Sequence, residues 1–242
     1  MRRASSFLPG VGRVSRFDPY NTFEFLMAAS DAAGLKSTFF FLAKDTELPH
    51  GSRYRLSDAW ARSLIAEIAD RGHHIGLHGS YNSSTSALQL REEWTILENA
   101  CGRLPPGILR RTIRQHYLRQ RPGETWRAQA DAGLAVDESL CFADAIGYRA
   151  GTARSFAAYD LTNHRQLPLR IKPLHVMDGT LLDYMSLDGD AAVNAVVEMG
   201  RRTLRFGGDF SMLWHNSELE TEDAKRLYLE ILGALAVLSS GG

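Results

Sequence analysis

The chain predicts an α/β barrel, and three observations carry that expectation. Strand-like and helix-like segments alternate along most of its 242 residues. Three short apolar runs end in histidine: His78 within Gly72–Asn82, His116 within Thr112–Tyr117 and His215 within Phe210–Asn216. Polar residues at the carboxyl ends of parallel strands place a site at one mouth of a barrel. A doubly wound open sheet is the alternative, but no Gly-rich phosphate fingerprint follows any strand.

Each element has its own local justification. Asn21 with Glu24 three positions on reads as a capping box for a helix that Gly34 ends. Lys36–Leu42 is a short apolar run and predicts a buried strand. Ser57 is expected to cap a helix with Trp60, Leu64, Ile65 and Ile68 on one face, ending at Gly72. The His78 strand follows, and then a helix from Ser86 to Gly102 with Leu90, Trp94 and Leu97 as its core stripe. Next come the His116 strand, a helix over Pro122–Gly133, a strand near Leu134–Asp137 and a long irregular stretch. Strands around Leu169–Ile171 and His175–Met177, a helix over Asp190–Phe206, the His215 strand and a helix over Thr221–Leu238 complete the pattern. One domain over residues 20–238 is expected, with a flexible leader at 1–19 and a frayed tail at 239–242.

Composition narrows the partners. Lys and Arg total 28, as do Asp and Glu, so the neutral chain offers no electrostatic footprint for nucleic acid. Cys101 and Cys141 stand in unrelated contexts and imply neither a disulfide framework nor a thiolate metal site. No run approaches the length of a membrane span. The arginine-bearing leader lacks the apolar core of a secretory signal, so a cytoplasmic location is expected.

The residues also resemble a known family. Gly-His-His-Ile-Gly-Leu-His-Gly-Ser-Tyr-Asn, residues 72–82, resembles the second motif of the polysaccharide deacetylases, approximately G-H-E-I-G-N-H-T-x-S-H. These are metal-dependent carbohydrate esterases that include chitin and peptidoglycan deacetylases. Arg114-Gln115-His116-Tyr117 resembles the third motif, R-x-P-Y, and Ser211–His215 resembles the fifth. Gly147–Thr152 and Met177–Leu181 look like features of a divergent branch, and the resemblance spans roughly residues 20–235. It implies a distorted (β/α) barrel that hydrolyses N-acetyl groups on a carbohydrate with a divalent metal, Zn²⁺ first. It also implies His78 and Asn82 as metal ligands, His215 as general acid, Arg114 as brace of the catalytic carboxylate and the Tyr117 N–H as oxyanion donor.

Two departures qualify that expectation. Asn82 offers an amide oxygen where the family has an imidazole, and His116 stands where the family has proline and can supply the missing nitrogen. The family's first motif, a strand ending in Asp-Asp or Asp-x-Asp, has no counterpart; Asp18 is followed by Pro19 and preceded by no apolar run. The barrel is therefore expected to lack its first strand, as an amino-terminally shortened copy would, leaving an exposed edge.

Other polar residues carry two readings each. Arg114 is expected to pair with a buried carboxylate, the absent acid first. Arg149 can hold substrate, a loop carbonyl or Asp137. Asp137 and Asp178 can stand in as acids, or serve as caps or arginine partners. Trp214 can stack on a sugar face or pack in the core, and Tyr81 is expected at the site rim. His50, His73, His74, His164 and His175 are assigned no role. Beside hydrolysis stand two alternatives: a non-catalytic carbohydrate-binding or regulatory relative, favoured by the missing acids, and a metal-dependent sugar isomerase, which needs more carboxylates at strand ends than this chain shows.

Overall fold

The computed structural model describes residues 18–44 and 54–240. Most of the expected leader, His50 and the last two glycines lie outside the described residues. Among those described, strands β1 (Thr38–Leu42), β2 (His74–Gly79), β3 (Leu109–Gln115), β4 (Val136–Asp137) and β6 (Arg165–Ile171) run parallel, in the order β1-β2-β3-β4-β6. Strand β5 (Phe156–Asp160) flanks β6 as its antiparallel hairpin partner. Strands β7 (Val176–Met177) and β8 (Met212–Leu213) form a separate parallel pair, extended by His175 N–H to the Ser211 carbonyl and tied to the rest by Leu174 N–H to the Leu140 carbonyl. Among the described residues the barrel is not closed, and β1 is the outermost strand of its sheet.

Parallel connections need helices, which the apolar stripes supply. Helices α2 (Ala59–Asp70), α3 (Ala87–Cys101) and α4 (Thr125–Asp131) cover the outer face, burying Leu64, Ile65, Ile68, Leu90, Trp94, Leu97 and Ala128 against Ile75, Leu77 and Ile113. Helix α1 (Phe23–Ala32) packs with α6 (Glu222–Ser240) through Leu26, Tyr228 and Leu232, and α5 (Gly189–Arg205) packs on α6 and β7. No helix of the described residues is long and apolar enough to cross a membrane.

The inner face is the unusual one. Alternation along the strands puts Phe40, Gly76, Thr112, Arg114 and Arg170 on it. A β-carbon at Gly76 would lie 2.7 Å from Thr112 Cγ2 and 2.8 Å from the Phe40 ring, so only glycine fits that crossing. In β6 the residues on this face are exposed while Leu167, Leu169 and Ile171 are buried on the other, as expected of an open trough rather than a packed barrel interior.

Several expectations are corrected in detail. The Asn21–Glu24 capping box does not form: Thr22 is the N-cap, without a side-chain bond, and Glu24 is drawn to Arg71 at 2.8 Å. Helix α2 begins after Asp58, not Ser57; the Asp58 carboxylate accepts the Arg55 N–H instead. Strand β1 buries only Phe41 fully, because its outer side has no strand neighbour among the described residues. Strand β5 lies within the stretch expected to be irregular. The final helix runs on to Ser240, through the start of the expected tail.

Candidate active site

Parallel strands deliver their last residues to one end, and His78 and His116 arrive there by that route; His215 follows the separate β7–β8 pair and acts electrostatically on His78. His78 is the penultimate residue of β2, His116 directly follows β3, and His215 lies two residues beyond β8. His78 Nε2 and His116 Nδ1 are 3.1 Å apart, with the rings nearly perpendicular at 81°. Burial first, then the charges of His116, Arg114 and His215, push the His78 pKa down to about 3, so this imidazole is neutral across the physiological range.

The loop behind His78 is fastened from α3. The buried Glu93 carboxylate accepts the Ser80 N–H at 3.2 Å and the Ser80 hydroxyl at 2.5 Å, while Ser83 donates to the Ser80 carbonyl. A β-carbon at Gly79 would lie 2.5 Å from Gln115 Oε1, so the buried Gln115 amide would have to shift for any larger residue.

After His116 the chain turns sharply, with Tyr117 (φ 55°) and Leu118 (φ 49°) both left-handed. Consecutive non-glycine residues in that region are costly and concentrate at functional sites. The turn lays the exposed Tyr117 ring against His116, centroids 4.3 Å apart, and edge-on to Tyr81 at 5.9 Å. Arg119 stacks 4.0 Å over Tyr81 and donates to its carbonyl. Tyr81 therefore stands on the rim with Tyr117. Asn82 is exposed at the head of the 83–85 turn.

His215 is held by Asp178, which follows β7 and has no exposed side-chain surface. The carboxylate accepts the His215 N–H and lies 2.8 and 3.0 Å from His215 Nδ1. Burial alone would depress the His215 pKa, but the Asp178 hydrogen bond and charge outweigh it and the net shift is upward. Asp178 thus pairs with His215 and not with an arginine, the role sequence reasoning missed, while its Oδ1 also accepts the Gly179 N–H at 2.6 Å at a helix start, as the cap reading expects. The available signal was another polar residue at a strand end.

The remaining residues sort by contact. Arg114, in register with His78, pairs with Glu138: Nε donates to the Glu138 carbonyl at 3.1 Å and Nη2 lies 3.7 Å from its carboxylate. The partner expected first was an acid from a missing strand; β4 supplies one from the following residue. Arg149 donates to the Cys141 carbonyl at 2.7 Å, a loop brace and not a contact with Asp137. Asp137 is engaged by Gln129, Ser139 and Gln120, and burial pushes its pKa up to about 6. Trp214 packs on Tyr228, centroids 5.2 Å apart, with a buried indole nitrogen, which is the core reading of the two. His73, His74 and His175 have local partners in Asp31, Arg110 and Ser211.

A divalent metal fits the histidine pair in one respect. Two nitrogens about 2.0–2.1 Å from one ion and 3.1 Å from each other subtend roughly 100° there, close to tetrahedral. Among the described residues no set of three or more His, Cys, Asp or Glu side chains gathers around such a position.

No protein-family model matches the sequence, and no curated protein matches it. Solved structures do. A Mycobacterium smegmatis protein assigned to the polysaccharide deacetylases superposes with a TM-score of 0.58 at 16% identity, covering 91% of this chain and 72% of that one. The Bc1960 peptidoglycan N-acetylglucosamine deacetylase, in complex with 4-naphthalen-1-yl-N-oxidanyl-benzamide, gives 0.50 at 15% identity over 90% of this chain and 77% of its own. The chain has the polysaccharide deacetylase fold, a parallel-stranded α/β architecture of the (β/α)-barrel type.

Proposed function

We propose that this chain is a carbohydrate deacetylase that hydrolyses an N-acetyl group with the help of a divalent metal, Zn²⁺ first, held by His78 and His116. The observation that carries the proposal is that imidazole pair, with the Asp178–His215 dyad near enough to act electrostatically on His78, in a deacetylase-type fold. When bound, such an ion polarises an acetyl carbonyl and lowers the pKa of water from 15.7 towards about 7. The protein's own contribution is orientation and proton transfer. Asp178 fixes the His215 ring and keeps it protonated to higher pH, suiting it to protonate the leaving amine. The Tyr117 N–H, in the strained turn after β3, is assigned to the oxyanion, and Asn82 to a further place beside the metal. Tyr81, Tyr117 and Arg119 supply a rim against which a sugar ring can pack, with Arg149 bracing the neighbouring loop.

One observation favours a second reading. Among the described residues each acid near the site is engaged: Asp178 by His215, Glu138 by Thr112 and Arg114, Asp137 by Gln129 and Ser139. A chain without a free carboxylate base can bind an N-acetylated glycan without turning it over. Acetate release from an N-acetylglucosamine oligomer, measured beside the binding isotherm of the same oligomer, separates the two readings. Binding without release selects the non-catalytic one.

A further inference from the structure

Arg114 is buried in the trough with most of its hydrogen-bonding capacity unspent. Its side chain is 7% exposed, yet among the described residues only Nε of its five N–H donors makes a hydrogen bond, to the Glu138 carbonyl. The Glu138 carboxylate stands 3.7 Å from Nη2, beyond hydrogen-bond distance, and is shared with Thr112 at 2.9 Å and Lys172 at 3.6 Å. The two Nη groups keep a little solvent contact, which an incoming acceptor would replace.

The surroundings favour an anion. Phe40 covers one face of the guanidinium at 4.4 Å, leaving the planar edge as the contact surface. Arg170 shares the inner face of the sheet with Arg114, and Lys172 reaches the same carboxylate, Glu138. Phe40 lies on the outermost described strand and is itself only partly buried.

We propose that Arg114 is the binding site for a small planar carboxylate. Two carboxylate oxygens match the guanidinium fork in spacing and plane, as a spherical anion does not. Acetate is the member of that class which N-acetyl hydrolysis would release beside His78, and that identification alone rests on the deacetylase reading. Arg114 then acts as a receptor for the leaving acid.

The test is a titration of ¹³C-labelled acetate into the full chain, followed by NMR line broadening, with and without a chelator. Formate, inorganic phosphate and chloride are the comparison anions. Saturable one-to-one acetate and formate binding that survives the chelator is expected, roughly tenfold weaker in Arg114→Gln and tighter in Glu138→Gln, which removes the competing carboxylate. The proposal is overturned by no saturable acetate binding, by equal affinity in Arg114→Gln, by phosphate or chloride binding as tightly as acetate, or by loss of binding on chelation. Should Arg114→Gln fail to fold, Glu138→Gln decides, since unchanged affinity there also overturns it. The titration reads binding without turnover, so a chain that never releases acetate from a glycan can still pass it, and an active deacetylase can fail it.

Discussion

Asp178 grips His215 at two points, accepting its backbone N–H and facing its ring Nδ1 at 2.8 Å, across 37 residues of sequence. The double contact fixes both the position and the orientation of an imidazole that is otherwise half exposed. It also sets the direction of titration: the folded pKa is raised, so the favourable interaction is present in full below the unfolded value of 6.5 and fades as pH rises through the folded value.

Asp178→Asn should therefore move the alkaline limb of the pH–rate profile to lower pH, because His215 gives up its proton sooner. His215→Ala should lower turnover by roughly 10²- to 10⁴-fold while leaving metal content near that of the parent. Inductively coupled plasma analysis after dialysis reads the second point. Metal loss from His215→Ala matching that from His78→Ala would make His215 a ligand and remove the assigned acid.

Glu93 makes a separable prediction. Glu93→Ala removes the acceptor of both the Ser80 N–H and the Ser80 hydroxyl behind His78 and should cost about 1–3 kcal/mol of stability. Metal affinity should fall along with it, by roughly 10- to 100-fold if the loop carries His78 with it. Urea unfolding and a competitive chelator titration measure the two effects. Stability loss at unchanged metal affinity would confine Glu93 to the fold.

Two glycines test the packing. Gly76→Ala forces a β-carbon against Thr112 and Phe40 and should destabilise by about 1–3 kcal/mol. Gly233→Ala, within α6 and with open space around it, should stabilise by up to about 1 kcal/mol. Thermal unfolding of the pair compares them directly, and equal melting temperatures would contradict the trough geometry.

What the sequence makes legible follows from the reach of each interaction. Apolar periodicity within one segment locates α2, α3 and the histidine-ended strands, and parallel pairing then brings His78 and His116 together. Pairings between distant segments leave no such mark. Arg114 with Glu138 and Asp178 with His215 join residues 24 and 37 positions apart, and neither acid differs locally from an ordinary strand-end cap. Glu24 shows the converse, a sound capping pattern overruled by Arg71, 47 residues away. Strand β5 escaped because its five residues, Phe-Ala-Ala-Tyr-Asp, include two alanines and carry little strand signal; it is defined by the β6 edge beside it.

The most direct test of the account is acetate and free-amine release from an N-acetylglucosamine oligomer, with added Zn²⁺ and with chelator, in the parent chain and in His78→Ala. The account predicts slow release of the two products in equal amounts that depends on the metal and disappears in His78→Ala. Absence of release under every metal condition, from a folded chain that binds the oligomer, would contradict it.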